Sequence, residues 1–227
     1  MAEVQTLFFS LLGGILPALL WLWFWLREDK MHPEPRRLLF LSFIGGMVAV
    51  ALALPLEKFA ERMIVNGTLI IIAWSLIEEI LKLGAAYLGG LDRKDCDEPL
   101  DPMIYLITAA LGFAAAENTL FLLSSVKEGF LDGMLTGNLR FIGASLLHVL
   151  CSALIGVFMA LSFYKKTYIK IIYLTVGIIA AVAAHFLFNY YVMKSQAGGT
   201  FLVFSLVWVA IIGLLLIFEK IKKIRQI

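Results

Sequence analysis

The feature that most constrains this chain is an apolar run from Thr68 to Leu88 that carries two carboxylates and a lysine near its middle. These residues are Glu78, Glu79 and Lys82. A helix rises 1.5 Å per residue, so roughly 20 residues cross the hydrocarbon core of a bilayer and the three groups would lie at membrane depth. An ionisable side chain costs about 2.5 to 3.5 kcal/mol or more there. The cluster therefore predicts either charged partners on other helices or a chemical function.

The composition indicates an integral membrane protein. Of 227 residues, 61% are hydrophobic and 16% are charged, and the mean hydropathy is +0.91. Soluble domains are about 45 to 50% apolar and about 25% charged. Cys96 lies in a polar connector and Cys151 in an apolar run, so no disulfide framework is predicted. The sequence has no zinc-finger spacing, no phosphate-binding glycine loop and no basic patch outside the connectors, which argues against a nucleic-acid partner.

Seven apolar segments predict an all-α fold, a polytopic transmembrane helix bundle that forms one domain over residues 1–227. The segments are about 6–26, 38–56, 68–88, 102–124, 140–163, 169–192 and 200–218. Each is long enough, or nearly so, to cross a membrane as a helix. Gly45 and Gly46 in the second segment would let a neighbouring helix approach closely.

The distribution of Lys and Arg predicts the orientation. The first, third and fifth connectors and the C-terminal tail carry four, two, three and four of these residues, counting Lys170 at the start of the sixth segment. The N-terminal segment and the second, fourth and sixth connectors carry none, two, two and one, counting Arg140 at the start of the fifth segment. Because basic residues accumulate on the cytoplasmic side, we expect the N-terminus outside and the C-terminus in the cytoplasm.

Counting along the segments predicts that the polar groups in the membrane share one level. At 1.5 Å per residue, the adjacent carboxylates lie roughly 15 Å below the outer face and Glu117 roughly 10 Å below it. His148 and His185 each lie roughly 12 Å below it. Four helices that run in alternate directions would thus bring these groups to one site in the outer half of the membrane.

Spacing within each helix indicates which groups can cooperate. Lys82 follows Glu78 by four residues and Glu79 by three, so it can pair with either carboxylate. The two carboxylates point about 100° apart, and one can face the site while the other holds the lysine. His185 and Asn189 are four residues apart and share a face. A carboxylate in this setting can serve as a general base, and imidazoles can bind a metal, polarise a carbonyl or donate a proton.

In chain order these residues resemble the motifs of the PrsW family of intramembrane proteases, which is similar in its core to the type II CAAX prenyl proteases and the bacterial CPBP proteins. The residues that carry the resemblance are Glu78-Glu79-x-x-Lys82, Phe113-x-x-x-Glu117-Asn118, His148 and His185-x-x-x-Asn189. The resemblance implies a multi-pass protease of the bacterial plasma membrane that cleaves a single-pass membrane protein within the lipid bilayer. The substrate it implies is an anti-sigma factor, cut at the first step (site 1) of a stress response.

The resemblance also implies roles for individual residues. Glu78 would be the base that activates water, with Glu79 and Lys82 as its support, although the spacing leaves open which carboxylate is the base. The water and the developing oxyanion would be handled by His148 and His185 with Asn189. Glu117 stands where the CAAX enzymes have a histidine. A zinc site formed by Glu117, His148 and His185 and a metal-free glutamate mechanism therefore both stay open, and the chain has no HExxH motif to decide between them.

Other classes of protein are compatible with the same buried groups. A proton- or ion-coupled transporter also places acids and histidines at membrane depth, but carriers tend to show internal repeats and paired helix breaks. Here the prolines lie outside segments three to six, apart from Pro102 at a segment start. A catalytically silent membrane scaffold is a further alternative. Cys151 lies three residues from His148 and suggests a cysteine protease, but a buried cysteine is generally inert.

Overall fold

The computed structural model describes residues 2–29, 32–129, 134–135, 138–194 and 197–224. Within these ranges the chain is helical and contains no strand, which confirms the predicted all-α class. The seven long helices are α1 (Ala2–Leu26), α2 (Arg36–Met63), α3 (Gly67–Ala86), α4 (Asp101–Glu128), α5 (Ser145–Leu161), α6 (Thr167–Lys194) and α7 (Ala197–Ile221). Two π-helical turns adjoin them, Tyr87–Leu91 at the end of α3 and Arg140–Ala144 before α5.

Six of the described helices are long and apolar enough to cross a membrane, so the chain is a multi-pass membrane protein. The remaining helix, α3, differs because Glu78, Glu79 and Lys82 fall within its 20 residues. These three side chains are buried inside the bundle. The outer surfaces of α1, α2, α6 and α7 carry many exposed large apolar side chains, as expected of surfaces that face lipid.

The centre of the bundle is formed by α4 and α5. Most side chains on both helices are buried, and α4 packs against α1, α2 and α5. α3 packs against α2 and α6, and also contacts α4 and α5. Polar residues on α3, α4, α5 and α6 can therefore meet in the interior, as a single shared site in the membrane requires.

The second helix extends further than the sequence indicates. It continues through Pro55 to Met63, whereas the apolar segment ends near residue 56. Proline removes one intrahelical hydrogen bond, but the helix continues with the charged residues that follow it. The connector to α3 is correspondingly short, and Asn66 caps α3 by accepting hydrogen bonds from the backbone N–H groups of Thr68 and Leu69, at 2.9 and 3.2 Å.

Two buried carboxyl groups lie in the connector between α1 and α2. Asp29 and Glu34 are only 3% and 7% exposed, and Glu34 accepts a hydrogen bond from the Tyr105 hydroxyl on α4. Burial, reinforced by neighbouring carboxyl groups, raises the pKa of Asp29 to about 7 and the pKa of Glu34 to about 9. Both groups therefore hold their protons more tightly in the folded chain than in the unfolded chain.

We expect the melting temperature of the protein in detergent to fall as the pH rises from about 5 to about 9. The unfolded chain releases both protons near pH 4, whereas the folded chain keeps them until the pH passes the raised pKa values, so alkali favours unfolding. Glu34→Gln has no proton to lose and should flatten this dependence. An identical pH slope in the wild type and in Glu34→Gln would contradict the prediction.

Candidate active site

Four helices contribute side chains to one buried polar cluster in the bundle interior. α3 supplies Glu78, Glu79 and Lys82, α5 supplies His148, and α6 supplies His185. All five residues are at most 6% exposed. Glu117 on α4 adjoins the cluster through His148. The groups that the sequence places at similar depths are therefore within contact distance of one another.

Glu79 is the carboxylate that holds the cluster together. Its Oε1 lies 2.6 Å from Lys82 Nζ and 2.8 Å from His185 Nδ1. Its Oε2 accepts a hydrogen bond of 3.2 Å from the Ser152 hydroxyl on α5. Because both oxygens are engaged and the side chain is fully buried, Glu79 is suited to an anchoring role rather than to proton transfer.

The contacts of the two histidines determine their tautomers. A carboxylate only accepts hydrogen bonds, so His185 carries its proton on Nδ1, which faces Glu79, and its Nε2 is left as an acceptor. His148 Nε2 lies 3.0 Å from Glu117 Oε2 and carries the proton by the same argument. His148 Nδ1 then accepts from Lys82 Nζ, at 3.0 Å. Each imidazole is thus oriented by one carboxylate, with its other nitrogen turned inward.

Glu78 differs from Glu79 in having an unpaired oxygen. Its Oε2 is buried and has no hydrogen-bond partner among the described residues. Three nitrogens surround it at longer range: His185 Nε2 at 3.7 Å, and His148 Nδ1 and Lys82 Nζ each at 3.8 Å. These distances exceed those of direct hydrogen bonds, so Glu78 Oε2 is free to interact with a water molecule or an ion. Glu78 Oε2 is therefore the atom of the cluster that is best placed to act on water.

A second polar network supports His148 from α4. Glu117 binds the Arg140 guanidinium as well as His148, and Arg140 Nε donates to Asn118 Oδ1 at 2.5 Å. The Asn118 amide in turn donates to the Ser145 hydroxyl at 2.9 Å. Arg140 therefore neutralises Glu117 and helps to fix the carboxylate that orients His148.

The π-helical turn that carries Arg140 is held by tryptophans from α1 and α7. Trp21 Nε1 donates to the carbonyl of Phe141 at 3.4 Å, and Trp208 Nε1 donates to the carbonyl of Ile142 at 3.0 Å. A π-turn displaces backbone carbonyls from regular helical bonding, and such turns are frequent at functional sites. Helices that contribute no side chain to the cluster thereby position Arg140.

The structure brings together most, but not all, of the residues that the sequence singled out. Glu117 Oε2 lies 3.0 Å from His148 Nε2, the ring nitrogen that is not bonded to Lys82, and Glu117 is also paired with Arg140. It is therefore not part of the group of possible metal ligands, which is Glu78, His148 and His185. Asn189 is half-buried one turn beyond His185, and its side chain makes no hydrogen bond within the described ranges. Arg140 and Ser152 were not among the expected site residues. Both are separated from His148 by multiples of four residues, a spacing that could have indicated them.

The donor set fits a metal ion with one difference from the expected ligands. Glu78, His148 and His185 offer ligand atoms that lie within 4.8 Å of one another, so Glu78 takes the place expected for Glu117. One carboxylate and two imidazoles suit zinc, and the carboxylates behind both histidines are typical supports of a metal site. Lys82 donates to His148 Nδ1, so a metal would have to replace this contact.

A family model described as PrsW family intramembrane metalloprotease matches residues 34–216, which include the whole cluster. Protease PrsW of Geobacillus kaustophilus (strain HTA426) is 28% identical over 124 residues, 53% of this chain and 55% of the relative. Protease PrsW of Bacillus subtilis (strain 168) is 28% identical over 151 residues, 65% of this chain and 64% of the relative.

The matched regions cover less than two thirds of the length of either relative. No solved structure matches the chain. The family match, in contrast, extends over most of the chain, from the start of α2 into α7. The chain therefore belongs to the PrsW family of intramembrane metalloproteases.

Proposed function

We propose that this protein is an intramembrane endopeptidase that hydrolyses a peptide bond of a single-pass membrane protein. The observation that carries the proposal is the unpaired, buried Oε2 of Glu78, faced by two histidine nitrogens that are oriented from behind by carboxylates. The family match supports the same reaction. We further propose the bacterial plasma membrane as the location, and a substrate of the anti-sigma-factor type cut at site 1, the class that the family resemblance implies.

In the proposed mechanism Glu78 acts as the general base. Its Oε2 takes a proton from water while the water oxygen bonds to the scissile carbonyl carbon, and the proton then passes to the amide nitrogen as the C–N bond breaks. His185 Nε2, a hydrogen-bond acceptor, orients the second proton of the water. The available donors to the developing oxyanion are the Lys82 ammonium and the Asn189 amide.

A metal is an alternative to this assignment, because Glu78 Oε2 cannot ligate a metal and accept a proton from water at the same time. Glu78, His148 and His185 would hold it, with Glu79 and Glu117 as the carboxylates that support the histidines. A bound zinc ion would supply polarisation of the scissile carbonyl and activation of water. We propose zinc as the candidate because two nitrogens and one oxygen are typical of catalytic zinc ligands.

The test is to compare membranes of bacteria that express the wild-type chain with membranes that express Glu78→Gln. Mass spectrometry of newly formed N-termini identifies single-pass proteins that are cleaved only by the wild type. These proteins are then reconstituted in liposomes with the purified chain, with and without a zinc chelator. Cleavage that requires Glu78 is expected, and the absence of any wild-type-dependent cut would contradict the proposed function.

We expect Arg140→Gln to lower kcat roughly 10- to 100-fold, the range observed when a residue that orients a catalytic ligand is removed. Without the guanidinium, Glu117 is no longer neutralised and His148 loses its fixed orientation. Arg140→Lys keeps the charge and should recover part of the activity. The exposed Arg93 serves as the matched control, and equal kcat values for Arg140→Gln and Arg93→Gln would contradict the role of Arg140.

We expect Cys151→Ala to retain cleavage within about threefold of the wild type, because a fully buried cysteine generally behaves as a small apolar side chain. The Cys151 sulfur is close to Glu79 and His185, but in the described structure it makes no hydrogen bond to a base that could take its proton. Peptide hydrolysis measured in liposomes tests the prediction. Abolition of cleavage in Cys151→Ala, with an unchanged melting temperature, would instead indicate a cysteine nucleophile.

A further inference from the structure

A cavity of about 660 Å³ lies where α3 begins and α6 ends. Apolar and aromatic side chains form much of its lining, and polar residues of α2, α3 and α6 complete it. The lining residues are Glu61, Asn66, Gly67, Thr68, Ile70, Ile71, Trp74, Tyr190, Met193 and Lys194. Glu61, Asn66 and Lys194 are exposed, which indicates that this end of the cavity faces the membrane surface.

Two rows of side chains lead from the cavity to the catalytic cluster. On α3, Trp74 lines the cavity and Glu78 follows it by four residues. On α6, Met193 lines the cavity, and Asn189 and His185 precede it at intervals of four residues. Residues four apart on a helix lie on one face, about 5 to 6 Å from each other, and α3 packs against α6. The two rows therefore connect the cavity to the cluster, and we call the cavity and the two rows together the groove.

Polar groups without partners occur along these rows. Trp74 Nε1 is buried and has no hydrogen-bond partner in the described part of the chain. The Asn189 side chain makes no hydrogen bond there either, and Glu78 Oε2 is the third unpaired group. An unpaired buried donor costs about 1 to 3 kcal/mol, so the Trp74 indole N–H is suited to a ligand that offers an acceptor.

An unwound polypeptide is a ligand of this kind. In a bilayer a transmembrane helix satisfies its own backbone hydrogen bonds, but a peptide bond cannot be hydrolysed while the helix shields it. Once the substrate helix is unwound, its backbone N–H and C=O groups need hydrogen-bond partners from the protein, because the bilayer core contains no water. Indole N–H and amide groups placed beside the base would provide them.

We propose that this groove binds the substrate chain in an extended conformation next to the scissile bond, with Trp74 Nε1–H donating to a substrate main-chain carbonyl. The inference rests on the proposed proteolytic function and adds a substrate-binding site to it. Trp74 lies roughly 10 Å along α3 from Gly67. An acyl chain at this depth offers no acceptor to the indole, since lipid ester carbonyls lie near the headgroups, and this favours a peptide occupant.

The first experiment is Trp74→Phe, which keeps an aromatic ring and removes the N–H. With a single-pass protein that the wild type cleaves in liposomes, we expect kcat/KM to fall about threefold to tenfold, the equivalent of one hydrogen bond. The change should appear mainly in KM, because the bond is made to bound substrate before the reaction. Trp23→Phe is the matched control, since Trp23 is 59% exposed on α1 and does not line the cavity.

The second experiment requires no turnover. A benzophenone amino acid replaces Met193 in the Glu78→Gln chain, which is reconstituted with the same single-pass protein and illuminated. We expect an adduct to the substrate segment that flanks the cleaved bond, identified by mass spectrometry. Lipid adducts alone would show that the cavity holds acyl chains and would overturn the inference, as would unchanged kcat/KM in Trp74→Phe.

These outcomes are separate from those that test the proposed function. If the wild type cleaves no single-pass protein, the proteolytic function fails. If the wild type cleaves its substrate while Trp74→Phe and the crosslinking experiment give the contrary results, the function stands and the binding groove is excluded.

Discussion

Glu78→Gln is expected to lower kcat for peptide cleavage about 10³-fold, within the range lost when a general base is removed. The amide is nearly isosteric with the carboxylate but cannot take a proton from water. The fold should be retained, because Glu78 Oε2 makes no hydrogen bond in the described structure and its contact with Lys82 is 3.8 Å. Initial rates in liposomes and melting temperatures in detergent measure the two effects.

Glu79→Gln is the matched comparison, because it makes the same change at the neighbouring position. Here Lys82 loses its charged partner at 2.6 Å, and a buried ammonium is left with the more distant Glu78. Breaking a buried pair costs about 3 to 5 kcal/mol, so we expect a clear fall in melting temperature as well as in activity. Full activity in Glu78→Gln, or equal melting temperatures for the two variants, would contradict the assignment of base and anchor.

The helices and the approximate level of the polar groups follow from the sequence for a simple physical reason. A bilayer requires continuous apolar segments, and counting residues along each segment converts position into depth. Glu78, His148 and His185 lie at similar computed depths, and the structure has them in contact range. Depth alone does not give the direction of a side chain, which is why the sequence could not choose between Glu78 and Glu79.

Features that depend on packing between helices could not be predicted in this way. Glu117 has a suitable depth for a metal ligand, but in the structure it forms a salt bridge with Arg140. The sequence alone indicates only that Arg140 is a charged residue at the edge of a connector. The direction of the Arg140 side chain depends on a π-helical turn, and no residue pattern in Arg140–Ala144 identifies such a turn. Ser152 reads as an ordinary small packing residue, although it donates to Glu79.

The contact between α2 and α4 combines a predicted and an unpredicted feature. Gly45 and Gly46 indicated that α2 would be approached closely, but not by which helix. In the structure a Cβ on Gly46 would meet the backbone of Ala109, and a Cβ on Gly112 would meet the backbone of Phe43. Gly46 of α2 therefore faces the α4 backbone, and Gly112 of α4 faces the α2 backbone, at a single helix crossing. Small residues at such a crossing let the two backbones come into contact.

Gly112→Ala is accordingly expected to destabilise the protein by about 2 kcal/mol or more, since overpacking a close contact typically costs about 1 to 3 kcal/mol. The added methyl group would lie 2.8 Å from the carbonyl carbon of Phe43 and even closer to its oxygen. Backbone cannot move aside as a flexible side chain can, so α2 and α4 must separate. Thermal unfolding in detergent measures the loss.

Gly84→Ala is the control for this substitution, because the structure has no atom within 4 Å of a Cβ at Gly84. Alanine there should stabilise its helix by about 0.5 to 1 kcal/mol. The crossing also bears on catalysis, since Phe113 follows Gly112 and its ring lies 5.5 Å from that of His148 and 5.0 Å from Lys82 Nζ. A displaced α4 should therefore lower cleavage as well as stability in Gly112→Ala. If Gly112→Ala and Gly84→Ala unfold at the same temperature, α2 and α4 do not meet in the close contact described, and the position of Phe113 beside the cluster loses its structural basis.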